Sequence, residues 1–128
     1  MEGEIVFDAS AVLAILKRER GAERALAGLD QAVISCVNVA EVQSKLIEAG
    51  LDRHAAWARI AVLGCRTVAF NEDLAREAGS LIAVTRHLGL SLGDRACLAL
   101  GMERNAKVYT TDRTWKKLSL GIEIEVIR

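Results

Sequence analysis

Proline is absent from these 128 residues, and aromatic residues are scarce at 4%. The lack of proline leaves every backbone amide free to donate, which suits a chain of many short helices. With so few rings, the core must be built from Ala, Leu, Ile and Val. Net charge is also missing. Seventeen basic residues balance seventeen acidic ones, which argues against a general polyanion binder but leaves room for a local basic rim around an acidic site. Twelve of the seventeen basic residues are Arg, the better fork for phosphate. Cys36, Cys65 and Cys97 are odd in number and lack CxxC spacing. Each lies in or beside an apolar run, so buried free thiols in a reducing cytosol are expected, with no zinc or catalytic role. His54 and His87 have no metal-ligand spacing. No segment approaches a membrane span, and MEGEIVFDAS has no basic region followed by an apolar stretch. The expected protein is cytoplasmic. Hydrophobic residues make up 52% of the chain, which marks it as globular, with one domain over residues 1–128.

The most informative stretch runs from Ser91 to Asp112, SLGDRACLALGMERNAKVYTTD. Ser91 and Asp94 have capping-box spacing at a helix start. Ala96 to Leu100 and Met102 make the middle of that helix apolar, so it is expected to be buried. Asn105 and Ala106 turn the chain, and a β-prone run from Val108 stops at Asp112. So short a link makes helix and strand antiparallel. Eleven helical residues and five strand residues each span about 16 Å, which brings Asp94 and Asp112 to one edge of the fold.

The rest of the chain alternates strands with helices. Glu4–Asp8 reads as a buried strand, Ala9–Arg20 and Ala22–Leu29 as helices, and Ala32–Cys36 as the second strand. Asn38–Ala49 reads as a helix in which Asn38 and Glu41 form a second capping box, ended by Gly50. Asp52–Leu63 is a further helix and Arg66–Phe70 the third strand. Asn71 caps a long helix from Glu72 to about Leu88. That helix must bend or cross obliquely for Gly89–Gly93 to return the chain to Asp94. Ile122, Ile124 and Val126 alternate with Glu123 and Glu125, the pattern of a half-exposed strand at an edge. The fold class is α/β: a central, mostly parallel sheet of about five strands between helical layers. Sites in such sheets form beyond the carboxyl ends of the strands.

Four carboxylates fall at that edge. Asp8 ends the first strand, Glu41 follows the second, Asp94 opens the helix before the fourth strand, and Asp112 ends that strand. Each has a bland reading as a cap or turn residue, although Asp8 stands in an apolar run where a bare charge is costly. Together they pose a problem. Two carboxylates 4 Å apart repel by about 4 kcal/mol at an effective dielectric of about 20. Four must spread apart, take up protons or bind a cation. An all-oxygen set suits Mg²⁺ or Mn²⁺, and such an ion activates water for attack on phosphorus. Ser10, Thr110 and Thr111 supply hydroxyls that orient ligands. Arg95, Arg113 and Lys116 are candidate phosphate contacts. Trp57 reads as core or interface, and Trp115 as packing beneath the site or as a platform for a base.

The ordered set Asp8 in IVFDAS, Glu41 in NVAEV, Asp94 in GLSLGDRACLAL and Asp112 in VYTTDRTW resembles the four acidic positions of the PIN domain. GLSLGDRACLALG followed by TTDRTW is similar to the VapC toxins of type II toxin–antitoxin systems. The resemblance covers essentially the whole chain. It implies a three-layer α/β/α PIN-like fold, Mg²⁺- or Mn²⁺-dependent endoribonuclease activity, a homodimer and inhibition by a VapB-like antitoxin. Arg113, Thr114 and Trp115 follow Asp112 where some relatives place a further acid or amide. One alternative is a PIN-like module that binds RNA or protein without cutting, against which the full acidic set speaks. Another is a metal-binding signalling receiver, which expects adjacent acids after the first strand and an aspartate ending the third. Here only Asp8 ends the first strand, and the third ends at Phe70.

Overall fold

A run of three apolar residues, Ile5, Val6 and Phe7, forms the centre of the molecule. In the computed structural model, which describes residues 3–128, this strand β1 (Ile5–Phe7) is buried throughout. A strand covered on both faces is what a parallel sheet with helices on both sides requires. The remaining strands are β2 (Ala32–Ser35), β3 (Arg66–Val68), β4 (Lys107–Thr110) and β5 (Ile124–Val126). They form one sheet in the order β3-β2-β1-β4-β5. All four pairings are parallel, with Val6 opposite both Val33 and Val108. The sheet is thus wholly parallel, and β5 lies at an edge with its residues half-buried.

The pleat of β1 divides the core in two. Ile5 and Phe7 face one side with Val12, Ile34, Val42 and Tyr109. There they meet α1 (Ala9–Leu16), α2 (Ala22–Ala27), α3 (Cys36–Glu48) and α4 (Arg53–Ala61). Val6 faces the other side with Val33, Leu98, Val108 and Trp115, beneath α5 (Glu72–Ser80) and α7 (Leu92–Arg104). Helix α7 has no polar stripe from Ala96 to Gly101, and all six residues are buried. A Cβ at Gly101 would lie 2.6 Å from Val108 Cγ2, so the glycine lets α7 press on β4. Asn105 takes the left-handed conformation (φ 48°) and ends α7.

Several expectations are corrected. Helix α1 stops at Leu16 rather than Arg20, because Arg18 turns left-handed at φ 54°. The third strand ends at Val68, not Phe70. Helix α3 starts at Cys36, two residues before Asn38, and its cap is Ser35, whose Oγ accepts from the Val37 amide at 3.2 Å. β2 runs straight into α3, so Asn38 is no cap. The helix from Glu72 does bend. It ends at Ser80, Leu81 turns the chain into the short α6 (Ile82–Thr85), and a 3-10 turn at Arg86–Leu88 leads to left-handed Gly89. Cys97 is buried, but Cys36 is exposed and Cys65 partly so. Trp57 is 51% exposed and lies outside the core, whereas Trp115 is fully buried and cannot stack a base.

The strand order places a topological switch beside β1. The chain steps outward from β1 to β2 and β3, then returns to the other side of β1 for β4 and β5. Helix α1 follows the carboxyl end of β1 and a 3-10 turn follows that of β4, and the gap at such a switch is where these sheets bind ligands.

Candidate active site

Asp8 occupies that gap because it serves two elements. It ends β1 and is the N-cap of α1, with Oδ1 accepting from the Ala11 amide at 2.8 Å. Ser10 Oγ donates to the same oxygen at 2.7 Å. Thr110 Oγ1 donates to Oδ2 at 2.6 Å from the end of β4. Each hydroxyl is also an acceptor: the Thr111 amide donates to Ser10 Oγ, and the Asp112 amide to Thr110 Oγ1. Two hydroxyls thus stitch the end of β4 to the carboxylate that ends β1. Asp8 is only 4% exposed. Burial pushes its pKa up from 3.8 to about 6, against the three hydrogen bonds that favour the anion, and the Asp94 charge adds to the rise.

Asp94 stands in the first turn of α7. The capping box is present, with the Ser91 amide donating to Asp94 Oδ2 and the Asp94 amide to Ser91 Oγ. Asp112 is exposed and caps the 3-10 turn Arg113–Lys117, its Oδ1 accepting from the amide and hydroxyl of Thr114. Glu41 is half-buried on α3, and its Oε1 accepts from Asn38 Nδ2 at 2.7 Å.

Asp8, Glu41, Asp94 and Asp112 line one cleft of about 320 Å³, with Ser10, Thr111, Lys45, Ala9 and Leu13 completing its walls. Thr110 lies behind it, fully buried. Among the described residues none of the four acids forms an ion pair, and the nearest basic wall residue, Lys45, is turned to Glu48 at 3.8 Å. Nor, among those residues, do three Asp, Glu, His or Cys side chains stand close enough together to share one ion. Each carboxylate is instead drawn toward a local donor. The donor set is nevertheless all oxygen, which in kind fits Mg²⁺ or Mn²⁺ rather than zinc. Beneath the cleft, burial pushes the Cys97 thiol well up, and the charges of Asp8, Asp94 and Glu41 add to this. Cys97 therefore stays a thiol and offers no nucleophile.

The basic candidates divide. Arg113 and Lys116 are exposed on the turn after Asp112. Arg95 faces away from the cleft, donating from Nη1 to the Ala78 carbonyl at 2.9 Å. Sequence reasoning missed the setting of Asn38 and Gly93. Asn38 Nδ2 also donates to the Gly93 carbonyl at 3.0 Å. The available signal was an amide three residues before Glu41 on a helix, a spacing that places both side chains on one face.

A parallel α/β/α sandwich with a carboxylate-lined cleft at its switch point is the architecture of a nuclease family. The chain belongs to the PIN domain family, whose model matches residues 5–120. Among solved structures it is similar to VapBC from Salmonella typhimurium bound to DNA, with 18% identity, a TM-score of 0.75 and coverage of 97% of this chain and 98% of that one. It is also similar to VapBC2 from Rickettsia felis bound to a promoter DNA fragment, at 15% identity and TM-score 0.73, covering 94% of this chain and 96% of that one. A third is VapBC-5 from Mycobacterium tuberculosis, at 23% identity and TM-score 0.68, covering 99% of each chain. At these identities the likeness is one of fold. No curated protein matches the chain in sequence. Among the described residues no helix is long and apolar enough to cross a membrane.

Proposed function

We propose that this chain is a Mg²⁺- or Mn²⁺-dependent endoribonuclease, the toxin of a VapBC-like pair, which hydrolyses RNA phosphodiesters in the cytoplasm. The observation that carries this reading is the convergence of four carboxylates, from four separate elements, on one cleft in which, among the described residues, none of them forms an ion pair. Asp8, Glu41, Asp94 and Asp112 are the residues that would hold the ion. When bound, such an ion would offset their charge and would supply Lewis-acid polarisation of an RNA phosphate. The chain's own groups prepare the place. Ser10 and Thr110 fix both oxygens of Asp8, Thr111 holds Ser10 in turn, and the capping box at the start of α7 fixes Asp94. Arg113 and Lys116, exposed on the turn that Asp112 caps, would hold RNA phosphates; Arg95, tied to α5, has the weakest claim. A VapB-like antitoxin is the expected partner, since the similar structures are VapBC complexes, and a homodimer is the expected state.

A second reading, a PIN module that binds RNA without cutting it, draws on the spread of the four acids. One assay separates the two. Purified protein is incubated with tRNA, rRNA and mRNA in Mg²⁺ or EDTA, alongside Asp8→Asn and Asp94→Asn. Cleavage confined to wild type with Mg²⁺ is expected. Undiminished cleavage by both variants overturns the mechanism, and binding without cleavage supports the second reading.

A further inference from the structure

Asn38 is 1% exposed, yet it is a polar residue with an uneven set of partners. Its Nδ2 donates to Glu41 Oε1 at 2.7 Å and to the Gly93 carbonyl at 3.0 Å. Both neighbours only accept, so the amide cannot be turned round. Among the described residues its Oδ1 finds no donor. An orphaned buried carbonyl lowers stability, so packing does not account for an amide here. The two donated bonds do. Gly93 also lies against Glu41 itself. A Cβ there would fall 2.2 Å from Glu41 Oε2, 2.4 Å from Cδ and 2.5 Å from Oε1. The Glu41 carboxylate occupies the space a side chain at position 93 would need, against the residue that precedes Asp94.

We propose that Asn38 is the positioning residue for Glu41: its amide holds the Glu41 carboxylate on the backbone of Gly93, so that α3 and α7 present Glu41 and Asp94 to the cleft as one unit. Asn38 itself does not line the cleft and acts through Glu41. That this unit serves a divalent ion rests on the function proposed above; the clamp itself does not.

Two measurements test it. The first is the metal-free crystal structure of wild type, Asn38→Ala and Gly93→Ala. In Asn38→Ala the Glu41 carboxylate is expected to leave Gly93; a carboxylate that stays in place overturns the proposal. Gly93→Ala displaces the same carboxylate by direct clash, and Asn38→Leu, which keeps the side chain's bulk and removes both donated bonds, decides the matter if Asn38→Ala does not fold. The second is calorimetric titration with Mn²⁺ in the absence of RNA. Asn38→Ala and Gly93→Ala are expected to bind roughly 10–100-fold more weakly. Asn38→Ala added to Glu41→Ala is expected to cost nothing further, because both act through one carboxylate. Additive losses, the mark of a merely structural asparagine, overturn the proposal. If wild type binds no Mn²⁺, the metal reading falls alone, and the crystal structures still decide whether Asn38 holds Glu41.

Discussion

The two ends of the sheet treat their carboxylates in opposite ways. At the amino end Glu4, just before β1, takes two arginines: Arg66 at 2.8 Å from the start of β3 and Arg104 at 2.9 Å from the end of α7. At the carboxyl end four carboxylates share a cleft and, among the described residues, take no cation from the chain. The amino end uses its acid to tie three elements together. The carboxyl end meets its acids with hydroxyls, amides and a helix terminus, which leaves their charge uncompensated. A charge left uncompensated by the fold is available to something outside it.

The largest expected effect lies in activity. Asp94→Asn should lower RNA cleavage on the order of 10²–10³-fold, measured as kcat/KM on a defined oligonucleotide, while Glu4→Gln leaves it unchanged. Equal losses at the two ends would erase the distinction between them. Next comes stability at Asp8. Its pKa in the fold is about 6 against 3.8 ordinarily, so the native state holds the proton more tightly than the unfolded chain does. Ionisation therefore costs native stability: the penalty is absent below the lower value, grows between the two, and is full above the higher, at about 3 kcal/mol. Asp8→Asn should accordingly raise Tm by up to roughly 10 °C at neutral pH without divalent ions, and the gain should vanish near pH 4. A gain that persists in acid would show that burial of this charge is not the cause.

Divalent ions should produce a shift of similar size. Mn²⁺ at about 100 times its Kd adds about 2.7 kcal/mol to native stability. The increase in Tm should shrink as pH falls below 6, where a proton competes for Asp8, and EDTA should reverse it. An equal increase in the Asp8→Asn, Asp94→Asn double variant would place the ion elsewhere. The smallest effect belongs to Glu4→Gln. Arg66 is 63% exposed, so the variant should cost about 1 kcal/mol or less in urea unfolding, and less still at high salt.

Much of the fold was legible because its signals are local. Ile5–Phe7 without a polar break, capping at Ser91–Asp94, Asn71 before α5 and alternation from Ile122 to Val126 each report on a few neighbouring residues. Strand–helix alternation then orders them into a parallel sheet. The same logic located the acids, since a strand end and a helix start in such a sheet share one edge. What escaped depended on distant atoms or on competing local choices. Asn38 looked like a cap because the sequence does not show that β2 passes into α3 without a loop. The role of Gly93 depends on Glu41, far off in the chain. The break at Leu81 carries no proline or glycine at the turning residue. Arg95 follows Asp94 directly, yet the helical turn sends it to α5.

The bond from Thr110 to Asp8 joins residues 102 positions apart. A chain extended only through α6 already contains Asp8 and Glu41, but it lacks both β4 and the first turn of α7. On the ribosome, then, the site closes late: the first acid waits for Thr110 to emerge before its second oxygen meets that donor. Translation timing becomes a built-in delay, and a truncated product carries the opening half of the cleft with nothing to close it.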